Sequence, residues 1–376
     1  MAKRKITYPV YRQPSHITFG TGSTRTVGDP EVATGAVFLI SGQGGVRDVL
    51  RRAFAKSDNV FDEWPVLEKP PGEPTGDGIR IAAEWLSHHP ATRLVAVGGG
   101  SVLDWARLAA AAAGGWLDLD SGQTHAPAVN WIRPELILVP TTCGSGAEAA
   151  GVAVYSVNGQ KRPVVSPSFI ADRVVLDAEF LSAFDATSVA PFLCDALSHA
   201  IEAFVSIVPN PLAKHAAVSA LQVILEHRDM HDHCSRERLM EAGYLGGVAA
   251  SNCSVGVVHA LAHALAGDGV PHGIANGLGL SAGIATNQTT SEMDALLGRT
   301  YLDSTEALQQ AIRPIVSVAL TSNHARQVSG LLDHRADRAR LLASMEADVC
   351  LRTNPRRLQR GDLEAFLDRV AGDIRT

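Results

Sequence analysis

Arg93-Leu94-Val95-Ala96-Val97-Gly98-Gly99-Gly100-Ser101 is the stretch that decides the fold. The β-branched, apolar run from Leu94 to Val97 reads as a buried strand. The three glycines impose a turn, and the alanine-rich run at 101–113 reads as a helix. The same pattern lies on either side. Ala36-Val37-Phe38-Leu39-Ile40 is a strand leading into Gly42-Gln43-Gly44-Gly45 and a helix over 46–55. Glu135-Leu136-Ile137-Leu138-Val139 leads into Pro140-Thr141-Thr142, and Val174-Val175-Leu176 is a fourth strand. Continuous apolar strands between helices predict a parallel sheet covered on both faces, with ligands beyond the carboxyl ends of its strands. The segment 65–78, rich in Pro and Gly, reads as a loop.

From about Leu181 strand-like runs become rare and helical patterns dominate, at 188–206, 211–227, 236–251 and 256–265. We therefore expect an α/β dinucleotide-binding domain over 1–183 and an all-helical metal- and substrate-binding domain over 184–376. The 376 residues, 46% apolar and 19% charged, suit two such globular units. A net charge of −6 gives no general affinity for nucleic acid. The five cysteines are widely spaced, without CxxC, which fits a reducing, cytoplasmic setting. No apolar core follows the basic residues of Met1-Ala2-Lys3-Arg4-Lys5, so no signal peptide is read there. The most apolar stretch, 94–116, is broken by Asp104, Arg107 and glycines, so no membrane partner is expected.

Two turns suit a phosphate. After Gly98-Gly99-Gly100, Ser101 is placed to cap a helix whose free N–H groups favour an anion. Thr141-Thr142-Cys143-Gly144-Ser145-Gly146 adds hydroxyls and further N–H groups. Either alone reads equally well as a tight turn. At two consecutive strand ends, a nucleotide site is the better reading, although neither matches GxGxxG.

Asp195 and His199 stand four apart on a predicted helix, and His259 and His263 repeat that spacing on another. His272 follows in a loop, Pro271-His272-Gly273. The five donors lie among small apolar residues, where unpaired polar groups are costly, so a shared divalent metal is expected. Spacing leaves open which of the five bind. The donors at 227–234 are crowded with charge and read as a solvated helix end.

Taken together, Gly98-Gly99-Gly100-Ser101-Val102-Leu103-Asp104, Pro140-Thr141-Thr142-Cys143-Gly144-Ser145-Gly146-Ala147-Glu148, Asp195-Ala196-Leu197-Ser198-His199, His259-Ala260-Leu261-Ala262-His263 and Pro271-His272-Gly273 resemble the iron-containing alcohol dehydrogenase family. The agreement runs from Ile17-Thr18-Phe19-Gly20 to Asn354-Pro355-Arg356. The resemblance implies metal ligands at Asp195, His199, His259 and His272, with Fe2+ or Zn2+ equally suited, and a proton relay at His263. It implies Asp104 in the same cleft. It also implies cofactor contacts at Gly99, Gly100, Ser101, Thr141, Thr142, Ser145 and Lys161, with Gly42, Gly44 and Gly45 lining the first turn. The implied reaction is reduction of a small aldehyde, one bearing a phosphonate or carboxylate among the options, to a primary alcohol by a homodimer. Alternatives are a sugar-phosphate cyclase like dehydroquinate synthase and oxidation of a sugar-type alcohol.

One departure bears on the cofactor. Family members that prefer NAD carry an acidic residue just after the first strand of the dinucleotide fold, where it holds the adenosine ribose and repels a 2′-phosphate. Gly42 stands there in this chain, which predicts NADP(H) over NAD(H). Arg162, Arg352, Arg356 and Arg357 are candidates for holding an anionic substrate, with solvated surface as the plainer alternative.

Overall fold

The computed structural model describes residues 10–29, 34–43, 45–55, 61–126, 131–157, 160–227 and 233–375. Gly44, residues Met1 to Tyr8 and residues 228–232 of the charged segment lie outside them. Strands β1 (His16–Phe19), β2 (Ala36–Ser41), β3 (Val66–Lys69), β4 (Arg93–Gly98), β5 (Glu135–Pro140) and β8 (Arg173–Leu176) form one parallel sheet. Their order is β1-β8-β5-β4-β2-β3. A separate antiparallel hairpin pairs β6 (Val152–Val157) with β7 (Gln160–Val165).

The central strands β2, β4 and β5 are apolar along most of their length because both faces are covered. Phe38, Ile40, Val95, Val97, Ile137 and Val139 point one way, onto Val46, Leu50 and Phe54 of helix α1 (Val46–Phe54). Val37, Leu39, Leu94, Ala96, Leu136 and Leu138 point the other way, onto α2 (Gly76–His88) and α3 (Gly100–Ala113). The four strands read from the sequence are present with ends shifted by at most a residue. The expected loop at 65–78 needs correcting: it contains β3 and the start of α2. Among the described residues β3 is an edge strand paired with β2, and Val66-Leu67-Glu68-Lys69 lacks the apolar run that marks its buried neighbours.

Beyond β8 the described chain is helical: α4 (Ala186–Val205), α5 (Pro211–His227), α6 (His233–Cys253), α7 (Val257–Leu265), α8 (His272–Asn287), α9 (Ser291–Thr300), α10 (Thr305–Leu320), α11 (Asn323–Asp333), α12 (Arg335–Ala347) and α13 (Arg360–Arg375). Helix α4 is long and apolar enough to cross a membrane. It nevertheless lies mostly buried, because α5, α6, α8 and α10 pack around it.

Sheet and helices meet backbone to backbone at α6. A Cβ on Gly247 would lie 2.4 Å from Gly146 Cα, and one on Gly243 would lie 2.5 Å from the Cys143 carbonyl oxygen. A Cβ on Gly246, facing the other way, would lie 3.3 Å from the Ala196 carbonyl of α4. Gly146 is itself left-handed, with φ at 57°. Only glycine lets these surfaces approach so closely. Gly247→Ala is therefore expected to destabilise the protein by about 2 kcal/mol or more. Gly298→Ala in α9, where an added Cβ meets nothing within 4 Å, should be neutral or stabilising. Urea denaturation of both variants checks the pair, and an unchanged midpoint for Gly247→Ala contradicts the packing argument.

Candidate metal and cofactor site

Helix α4 begins with the Asp185 carboxylate accepting the Ser188 N–H at 2.8 Å. That start sets the phase of the helix, and Asp195, His199 and Glu202 fall at i, i+4 and i+7 on one stripe, all buried. Glu202 reaches across to α7. Its Oε1 accepts the Val258 N–H at 2.7 Å, and its Oε2 accepts from His259 Nδ1 at 2.8 Å. Gly256 makes room for it, since a Cβ there would lie 2.9 Å from Glu202 Oε1. The expected loop position of His272 is corrected to the first residue of α8, one turn before Asn276. Asn276 Nδ2 donates to Asp195 Oδ1 at 2.8 Å.

These three helices bring four donors together. Asp195 Oδ1 lies 3.8 Å from His199 Nε2, 3.9 Å from His259 Nε2 and 3.6 Å from His272 Nε2. Those separations are too long for hydrogen bonds. The three edges from Asp195 approach that of a tetrahedron around a divalent ion, about 3.4 Å; Asp195, His199 and His259 form the tight group, and His272 adjoins it on the Asp195 side. His259 Nε2 is buried with no hydrogen-bond partner, an orphan that such an ion would satisfy. Its Nδ1 proton is held by Glu202, so the Nε2 lone pair faces the other three donors. Burial lowers the pKa of both His259 and His272, keeping their imidazoles neutral as ligands must be. Burial alone would raise Asp195, but His199 beside it and the hydrogen bond from Asn276 bring its carboxyl below the usual value. The donor set therefore fits one divalent ion.

The fifth donor stands apart. His263 Nδ1 bonds to Asp348 Oδ2 at 2.8 Å, and Asp348 Oδ1 accepts the Cys350 N–H at 2.8 Å. Burial works to raise Asp348, but the bond to His263 wins and holds its pKa at about 2. The His263 ring stacks on His272 with centroids 5.8 Å apart, and it is more exposed than its neighbours. The imidazole thus borders the metal cluster with Nε2 left over.

The two glycine turns lie side by side, at the carboxyl ends of β4 and β5. A Cβ on Gly100 would lie 2.6 Å from Ser145 Oγ, and one on Gly99 3.6 Å from Thr142. The Thr141 N–H bonds the Gly98 carbonyl at 3.1 Å and fixes one turn to the other. The cap expected at Ser101 is corrected: Gly99 is the cap residue, makes no side-chain hydrogen bond, and Ser101 lies within the first turn of α3. The leading N–H groups of α3 therefore have no side chain capping them, as an anion site requires. Gly45 likewise starts α1 with no side-chain cap. Lys161 on β7 pairs with Glu73 at 2.6 Å, and its charge reaches His272, lowering that pKa further.

Asp104 has one oxygen bonded to Arg107 and the other accepting the Val154 N–H at 2.9 Å, so the carboxylate ties α3 to the hairpin. Arg107 is fully buried beneath it. Of the arginine candidates, Arg162 bonds the Asp120 carbonyl and Arg356 pairs with Asp362 at 2.5 Å. Arg352 and Arg357 are exposed.

Comparison with known proteins agrees with this geometry. The family model described as iron-containing alcohol dehydrogenase matches residues 14–178, and its C-terminal counterpart matches residues 190–371. A probable alcohol dehydrogenase of Salmonella typhimurium is 30% identical over 84% of this chain and 81% of its own length. A 4-hydroxybutyrate dehydrogenase of Clostridium kluyveri is 33% identical over 60% of this chain and 62% of its own. Among solved structures, a sulfoacetaldehyde reductase of Bifidobacterium kashiwanohense in complex with NAD+ superposes with a TM-score of 0.86 at 22% identity, covering 97% of this chain and 99% of that one.

Glu202 holds the His259 ring and also accepts the Val258 N–H, and the amide of glutamine can keep the backbone bond while weakening the hold on the ring. Glu202→Gln is expected to weaken binding of Fe2+ or Zn2+ by about 10- to 100-fold. Competitive chelator titration followed by elemental analysis measures this, and wild-type affinity in the variant contradicts the role given to Glu202.

Proposed function

The chain belongs to the iron-containing alcohol dehydrogenase family, and from that premise we propose that it reduces a small aldehyde to a primary alcohol. The observation that carries this reading is the convergence of Asp195, His199, His259 and His272 next to turns shaped for a nucleotide. When bound, the divalent ion, Fe2+ or Zn2+, polarises the substrate oxygen and the nicotinamide supplies the hydride.

The side chains do the rest. Gly99, Gly100, Ser101, Thr141, Thr142 and Ser145 present N–H and hydroxyl groups to the cofactor phosphates. Lys161, steadied by Glu73, adds a positive charge on the side of His272. Asp348 accepts the Nδ1 proton of His263, so Nε2 is the nitrogen left to exchange a proton with the substrate oxygen. The packed helices exclude water from the ligands.

An anionic group on the aldehyde suits the relatives named for sulfoacetaldehyde and 4-hydroxybutyrate. Arg352 and Arg357 are the candidates to hold it, since Arg162 and Arg356 are engaged. Gly42 by itself argues for NADP(H); with Glu68 beside it, the preference we propose is NAD(H). A homodimer in the cytoplasm completes the proposal. Among the described residues the outer edge of β1 has no partner strand and carries the exposed Phe19, and the five cysteines are free.

Chelation of the purified protein should abolish aldehyde-dependent oxidation of the reduced cofactor, and Fe2+ or Zn2+ should restore it. Full activity without metal contradicts the proposal. Asp348→Asn should lower kcat about tenfold or more with metal content and cofactor KM unchanged. If it alters metal content alone, His263 is not the residue that Asp348 serves.

A further inference from the structure

Gly42 ends β2 without a side chain, yet the space beside it is not neutral. A Cβ at position 42 would lie 3.6 Å from Glu68 Oε2, 3.8 Å from Glu68 Cβ and 3.2 Å from the Lys69 carbonyl oxygen. Glu68 sits on β3, in parallel register with Ile40 one strand away. Its Oε1 is held by Arg47 Nε at 2.8 Å, while Oε2 is the oxygen turned toward Gly42. Arg47, in the first turn of α1, lies over the Phe61 ring at 5.8 Å, which fixes the guanidinium that fixes the carboxylate.

On the reading that the turns after β4 and β5 hold a nicotinamide dinucleotide, the neighbouring strand end at β2 receives the adenosine ribose. We propose that Glu68 sets the cofactor preference of this enzyme, and sets it toward NAD(H). Its carboxylate reaches from β3 into the place where a carboxylate on residue 42 would have stood. Oε2 accepts a hydrogen bond from a ribose hydroxyl, and the same charge repels a 2′-phosphate. Arg47 offsets part of that charge, so the discrimination rests chiefly on Oε2 as an acceptor: it takes a ribose O–H but offers no donor to a phosphate oxygen, and a phosphate would have to displace the carboxylate to reach Arg47. The arrangement also accounts for the glycine, because a side chain at 42 would crowd Lys69 and Glu68. The expectation of NADP(H) from Gly42 follows from the sequence position alone. The carboxylate comes from a neighbouring strand, 26 positions further along the chain, and no local motif announces it.

The test is fluorescence titration of the metal-loaded full-length protein with NADH and with NADPH, alongside kcat/KM for both. The wild type should bind NADH about tenfold or more tightly than NADPH. Glu68→Gln should bring the two affinities to within a few-fold, mainly by tightening NADPH. A double variant, Glu68→Ala with Gly42→Asp, moves the carboxylate onto β2 and should restore the NADH preference. Glu68 is half-exposed, so Glu68→Gln should fold normally. A wild type that binds NADPH as well as or better than NADH overturns the proposal, and so does an unchanged ratio in Glu68→Gln. Binding of neither dinucleotide overturns both the proposal and the reading beneath it. The expected ratio without aldehyde turnover overturns the assigned reaction alone.

Discussion

An ionised carboxylate in the middle of a helical core is the constraint on which the rest of the structure depends. Asp195 is almost wholly buried on α4, a helix whose other buried positions are mostly apolar. Such a charge is tolerable only with compensation. Asn276 supplies one hydrogen bond and three imidazoles surround the same oxygen, but neutral imidazoles bring no charge. A divalent cation does, and Glu202 behind His259 adds the second carboxylate that balances it. The helices α4, α7 and α8 are thus held together by one charge arrangement as much as by their apolar contacts.

Much of the architecture was legible in the sequence because buried parallel strands and helices leave strong patterns. The four apolar strands and the helices from α4 to α7 were read from burial on both faces and from periodicity. The edge strand β3 and the hairpin β6–β7 were not, since half-exposed strands carry no continuous apolar run. At the site, the i,i+4 pairs gave the donors, and only the family resemblance separated four ligands from His263. Glu202 had a usable signal, seven residues after Asp195 on the same helix face, and so did Asn276, four after His272. Asp348 and Glu68 had none: each meets its partner through tertiary packing, 85 residues from His263 in one case and 21 residues from Arg47 in the other.

Asp104 has a structural part that its motif does not announce. Its two oxygens bond Arg107 and the Val154 N–H. What it contributes is the attachment of the β6–β7 hairpin, and with it Lys161, to the helix that begins at the phosphate turn. An acidic residue there works as a fastening, and the buried arginine beneath it is the other half of that fastening.

The glycines of α6 give the enzyme its internal ruler. On one side of this helix lies the turn from Cys143 to Gly146; on the other lies α4, which carries Asp195 and His199. With no side chain at 243, 246 or 247, the closest approaches on both sides of the helix are made by backbone. The spacing between the two halves of the chemistry is therefore set by peptide backbone, the least adjustable material in the molecule. Loops and surface side chains around the two halves can then vary while the distance between the glycine turn and the histidine cluster stays the same.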